Sequence, residues 1–238
     1  MNLYDEMAAK DLKAWQERVS KKPSIINRMT KGIQRTTNGL IPEKAQNIIT
    51  GSIKTMVRAA LLGSEYITGS PINNASLEER EKLIREKFNF YKKTAVVEGA
   101  GTGAGGILLG LADFPLLLSI KMKFLFSVAS IYGFDIKDYK ERLYILHVFQ
   151  LAFSSKQKQV ELYEQMKNWD SYVATLPEDI NQFDWKSFQE EYRDYIDLAK
   201  LMQLVPGIGA VVGAYANYKL MDRLGETAVN AYRMRILK

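Results

Sequence analysis

The residues 98–115, EGAGTGAGGILLGLADFP, place six glycines between Gly99 and Gly110 and then run apolar to Asp113 and Pro115. Such a stretch could cradle a phosphate, cross a membrane, or let two helices touch closely. Gly101, Gly103 and Gly106 satisfy G-x-G-x-x-G, the spacing that lets backbone N–H groups approach a pyrophosphate. That chemistry needs a preceding strand, a following helix and an acid about 20 residues on. Here the upstream residues belong to a helical pattern and the region around position 125 reads Phe124-Leu125-Phe126. No G-K-[ST] follows either, so nucleotide binding is not expected.

Glu98 and Asp113 are the carboxylates set deepest in apolar sequence and suggest a general acid/base pair. Fifteen residues of straight helix separate them by about 22 Å. They meet only if the glycine run folds back; otherwise Glu98 sits at a helix junction and Asp113 caps the next helix. His147, the single histidine, stands among Leu143, Leu146, Val148 and Leu151, the setting of a hydrogen-bonded core histidine. With no cysteine and one histidine, neither a metal site nor a cofactor is expected, and no G-x-S-x-G supports Ser-His-Asp chemistry. A hydrolase using Glu98, Asp113 or His147 is therefore the weakest functional reading.

The glycine spacing that recurs is small-xxx-small: Gly99/Gly103, Gly106/Gly110 and, further on, Gly209/Gly213 just after Pro206. Four residues are about one helical turn, so each pair makes a flat groove for another backbone. Glycine costs a water-soluble helix roughly 1 kcal/mol against alanine, so close packing or lipid contact must compensate. A spanning helix needs about 20 apolar residues. Only fourteen lie between Glu98 and Asp113 and eleven between Lys123 and Asp135. Interfacial, re-entrant or buried helices fit these lengths better than true spans.

The elements that must position these residues are helical almost throughout. Leu3, Met7, Ala8, Leu12, Trp15 and Val19 form one stripe, ended by Pro23. Ala45, Ile48, Ile49, Ile53, Met56, Val57 and Ala60 form a second, after Pro42. Ser76-Leu77-Glu78-Glu79 reads as a capping box opening a helix whose apolar side holds Leu77, Ile84, Phe88, Tyr91 and Ala95. An apolar block, Phe114 to Phe134, follows, interrupted by Lys121 and Lys123; Gly133-Phe134-Asp135 is a turn, and Tyr139 to Phe153 is another helix. The chain closes on a polar helix, Lys219 to Arg235, whose Asp222, Glu226, Asn230 and Arg233, with Arg223 beside them, make a polar stripe. Period-two alternation is absent, so the fold expected is all-α: one helical domain over 1–238, with basic amphipathic helices in 1–68, a glycine-rich core in 76–236 and two glycine-rich apolar hairpins.

The formal charge of +6 is unevenly spread. Residues 1–58 hold eleven Lys/Arg against five Asp/Glu, whereas 161–200 hold ten acids against four bases. Lys21, Lys22 and Arg28 could meet anionic lipid head groups or the chain's own acidic segment, and Asp222, Arg223, Glu226 and Arg233 a protein partner or head group. Aromatics do not interleave the basic positions, so nucleic acid is not an expected partner. The amino terminus has early acids and no apolar h-region, so a cytoplasmic location is expected.

The carboxy-terminal two thirds also resemble the EcsC family, bacterial proteins named for an accessory component encoded with an ABC exporter. Carrying the resemblance are Val97-Glu98-Gly99, Ala112-Asp113-Phe114-Pro115, Tyr132-Gly133-Phe134-Asp135, Glu141-Arg142-Leu143, the run Val205 to Gly213, Gly225-Glu226-Thr227-Ala228 and Ala231-Tyr232-Arg233. The resemblance implies a helical protein linked to a membrane transport or secretion system, with ABC transporter subunits as partners, and it carries over no catalytic residues. Together these readings give a non-enzymatic accessory or regulatory protein, peripheral on the inner face of the membrane. The alternative is a carrier or modifier with an apolar pocket for a lipid or isoprenoid.

Overall fold

The computed structural model describes residues 2–22, 43–62, 69–101, 113–182, 184, 188, 192 and 210–237, with side chains except at 45, 95–101, 180 and 210–217. Among the described residues eight α-helices follow in chain order: α1 (Leu3–Ser20), α2 (Glu43–Leu62), α3 (Leu77–Gly101), α4 (Phe114–Ile131), α5 (Tyr139–Phe153), α6 (Lys156–Lys167), the short α7 (Trp169–Val173) and α8 (Ala210–Ile236), with a 3-10 turn at Ile180–Gln182. Among the described residues there is no strand, and the fold is all-α.

Local chemistry sets the boundaries. Asn2 and Asp5 form a reciprocal capping box at the start of α1. The Ser76–Glu79 box predicted from spacing opens α3: the Ser76 N–H donates to Glu79 Oε2 at 2.8 Å, and Ser76 Oγ accepts from the Glu79 N–H. Asp113 takes the N-cap position of α4, with Pro115 in the first turn, but its side chain makes no capping bond. The end of α4 is a Schellman turn: the Phe134 N–H reaches Ala129 O, the Gly133 N–H reaches Ser130 O, and Gly133 adopts φ +93°. A Cβ at Gly133 would lie 2.8 Å from Arg80 Nη1, which donates to the Ile131 carbonyl and so completes the cap from α3.

The core is one continuous cluster. At its centre is α5, where every residue except Lys140 is buried, as expected of a helix enclosed on all sides. Helices α2, α4, α6 and α8 pack against it, and α3 lies across α4 and α8. Ile49, Ile53, Met56, Val57 and Ala60 of the predicted α2 stripe are buried, and so are Ala8, Leu12 and Trp15 of α1. Leu3 and Met7, from the same α1 stripe, are exposed beyond the edge of the bundle. Helix α4 is apolar and long enough to cross a membrane, yet 72% of it is buried inside the bundle, which makes it a core helix here.

Helices α3 and α4 run antiparallel, with Arg80 bonded to Ile131 at one end and Phe88 and Tyr91 edge-on to Phe124 further along. Helices α3 and α8 are antiparallel as well, because Glu81 meets Arg233 while Lys92 meets Asp222 and Tyr218. The carboxyl end of α3 and the amino ends of α4 and α8 therefore share one end of the bundle. Gly99 lies on the helical backbone of α3 and Gly213 on that of α8. Gly103, Gly106, Gly110, Pro206 and Gly209 lie outside the described residues, and with them the predicted glycine hairpins.

Candidate functional site

The last helix is far less polar in its setting than its sequence: Leu220, Met221, Leu224, Ala228, Ala231 and Tyr232 are buried, and so are Asn230 and Arg233 of the polar stripe. Arg233 grips the buried Glu81 of α3 with two bonds, Nε to Oε1 at 2.7 Å and Nη2 to Oε2 at 2.6 Å. Tyr4 of α1 donates to the same carboxylate at 2.7 Å and Tyr132 at 3.1 Å. Burial raises the Glu81 carboxyl, but these donors, the Arg233 guanidinium foremost, outweigh it and hold the group below the usual carboxylate range. Two residues on, Arg235 pairs with the buried Glu141 of α5 at 2.7 Å, Tyr232 donates to Glu141 at 2.6 Å, and the guanidinium lies 3.8 Å from the Phe134 ring centroid. Tyr132 stacks on Tyr232 between the two pairs. The result is a satisfied, rigid clasp, and it holds no open position for a substrate.

Toward the middle of α8 the packing opens into a groove of about 300 Å³ between α3 and α8. Ile84, Phe88, Phe124 and Val229 form its apolar floor; Arg85, Asp222, Glu226 and Asn230 supply polar groups. Gly225 lines it too: a Cβ there would sit 2.7 Å from Phe88 Cε2, so only glycine lets the ring lie against α8. Lys92 pairs with Asp222 and lies over the Phe88 and Tyr218 rings, 5.1 and 3.2 Å from their centroids. Arg18 reaches across from α1 to Glu226 at 2.5 Å. Asn230 donates through Nδ2 to the Glu226 carbonyl at 2.9 Å, while its buried Oδ1 has no partner among the described residues. An acceptor left in that state costs about 1–3 kcal/mol.

His147 occupies the opposite flank of α5. Its Nδ1 donates to the Leu143 carbonyl at 2.8 Å, and its ring packs against Trp169, Tyr172 and Phe188 over a cavity of about 40 Å³. Burial drives its pKa down to about 4. No carboxylate among the described residues bonds to it, so Asp113 at the start of α4 does not serve it. The Glu98 side chain lies outside the described residues, although its backbone is helical in α3. Wild-type stability is expected to fall as pH drops from about 6.5 to about 4, because the unfolded chain takes up the histidine proton first. The His147-specific share is about 3 kcal/mol. Urea midpoints measured across that range for the wild type and His147→Gln check this; the variant has the shallower slope.

Of the remaining predicted residues, Lys21 and Lys22 are exposed just after α1 and Arg28 lies outside the described residues. Among the described residues no group of His, Asp and Glu is arranged to hold a metal. Sequence reading passed over Lys121. It is wholly buried in α4, its Nζ has no hydrogen-bond partner among the described residues, and burial lowers its pKa to about 7. Its signal was present all along: Leu117, Leu118, Phe124 and Leu125 at three and four residues on either side mark its face as core.

No solved structure matches the chain. Similar proteins include Protein EcsC of Bacillus subtilis (strain 168), 49% identical over 225 residues that cover 94% of this chain and 92% of that one. Uncharacterized protein YdbA of the same organism is 28% identical over 235 residues, covering 94% of this chain and 86% of its own. The model of the EcsC protein family matches residues 6–237. That match spans the clasp, the Schellman turn and Gly225, and the chain belongs to the EcsC protein family.

Proposed function

We propose that this protein is a non-enzymatic accessory or regulatory protein of an ABC exporter, attached peripherally to the inner face of the membrane. The observation that carries the reading is the outer face of the α3–α4 pair. Leu83 and Phe90 of α3 and Leu116 of α4 are exposed there, with the exposed cations Lys87, Lys93 and Lys123 outnumbering the exposed Glu86 between Leu83 and Phe90. Exposed aromatic and aliphatic side chains among lysines suit an anionic head-group layer. The carboxyl end of α3 and the amino ends of α4 and α8, which adjoin the glycine-rich apolar segments in sequence, share one end of the bundle. Family membership supports the transport link, since the family takes its name from an exporter-associated component. The buried, carboxylate-free setting of His147 speaks against hydrolysis. A second reading, a carrier for an apolar lipid or isoprenoid, draws on the apolar floor of the α3–α8 groove.

Vesicle flotation tests the proposal. The protein is expected to float with vesicles containing anionic lipid at low salt and to be released as salt rises. Phe90→Glu combined with Lys93→Glu and Lys123→Glu should abolish flotation while leaving the melting temperature unchanged, because all three positions are exposed. A protein that ignores anionic vesicles, or variants that float like the wild type, would sink the reading. Mass spectrometry of lipid extracted from the purified protein decides the carrier alternative.

A further inference from the structure

We propose that the groove between α3 and α8 binds a primary ammonium carried on an alkyl chain, and that Arg18 of α1 stands in for that ammonium in the free protein. This inference is independent of membrane attachment.

One acceptor in the groove lacks a donor. Asn230, only 6% exposed, lines it with an unpartnered Oδ1, its amide nitrogen already committed to the Glu226 carbonyl. Asp222 and Glu226 stand one turn apart on α8, the spacing that puts both carboxylates on one face. Their counter-ions are held very differently. Lys92, with 12% of its side chain exposed, is packed over two aromatic rings and is a fixed part of the wall. The Arg18–Glu226 pair is 59% and 51% exposed at its two side chains, so it exchanges readily with a competing cation. An ammonium at Glu226 has donors for both that carboxylate and the Asn230 acceptor. Its alkyl chain then lies on Phe88, Phe124, Ile84 and Val229. The guanidinium of Arg85, which also lines the groove, extends toward α1, with Nη1 3.4 Å from the Tyr4 hydroxyl. An anionic ligand would instead have to compete with Asp222 and Glu226 for Lys92 and Arg18. At about 300 Å³ the groove is at the small end of ligand sites, which suits a short chain.

Calorimetric titration of the full chain with hexylammonium chloride tests the assignment, with hexanol and hexanoate as isosteres. Hexylammonium should bind at least tenfold more tightly than hexanol, and hexanoate not at all. Glu226→Gln should lose at least tenfold in affinity with its melting temperature preserved. Arg18→Gln should bind two- to fivefold more tightly than the wild type, the range that an exposed ion pair contributes. A free amine and an aminolipid head group share this chemistry. Dihexanoyl phosphoethanolamine binding above hexylammonium, with dihexanoyl phosphocholine inert, assigns the lipid; hexylammonium binding above both assigns the free amine. Equal binding of hexanol and hexylammonium, tighter binding of hexanoate, or unchanged or weaker binding by Arg18→Gln would overturn the proposal.

Discussion

Arg233→Met should destabilise the protein by about 3–5 kcal/mol at pH 8, the cost of stranding one charge of a buried pair. Glu81 would then keep only its two tyrosine donors inside the core. The pH dependence gives the test its specificity. In the wild type Glu81 is held below the ordinary carboxylate range, so its contribution is present above that range and fades as acid protonates it. Without Arg233 burial dominates and the carboxyl titrates upward, so protonation on acidification relieves the variant. The gap between the two urea midpoints should therefore narrow from pH 8 to pH 5. Adding Glu81→Gln to Arg233→Met should recover part of the loss at pH 8 and remove most of the pH dependence. A loss below 1 kcal/mol, or a gap that widens in acid, would show that the pair does not hold α8 to α3.

The opposite effect is expected at Lys121. In the unfolded chain its ammonium titrates near 10.5, whereas in the fold burial brings it to about 7. The native state therefore binds fewer protons between those values, and wild-type stability rises as pH climbs from about 7 toward 10.5. Below about 7 the full penalty applies, on the order of 5 kcal/mol for a shift of this size. Lys121→Met keeps the length of the side chain and removes the charge. It should raise the melting temperature most at or below neutral pH, with the advantage vanishing near pH 10. If the variant gains nothing at pH 6.5, the ammonium has a compensating partner beyond the described residues. A stabilised variant that loses cellular function would mark Lys121 as a group kept for its role at the expense of stability.

Helix phase was legible in the sequence because most stripes are long and apolar, and α5, Tyr139 to Phe153, is found with the predicted ends. The stripe of α3 also contained a clue that periodicity alone leaves unused. Glu81 falls four residues after Leu77 and three before Ile84, on the buried face, where a carboxylate must find a cation. Its partner, 152 residues away, leaves no mark at any fixed local spacing. The same limit hid the groove. Asp222, Glu226 and Asn230 read as one polar stripe, but which of them is buried depends on Phe88 and Phe124 arriving from other helices. Three residues within the motifs that carry the family resemblance serve architecture. Gly133 permits the Schellman turn, Gly225 admits Phe88, and Arg142 ties the Leu61 carbonyl of α2 to the turn before α5.

Both carboxylates of the clasp belong to helices made long before their arginines: Arg233 follows Glu81 by 152 residues and Arg235 follows Glu141 by 94. During synthesis on the ribosome, α3 and α5 emerge with acids on faces that cannot be dehydrated until the last helix is released. A chain interrupted before Arg233 therefore leaves both buried carboxylates without their guanidinium partners.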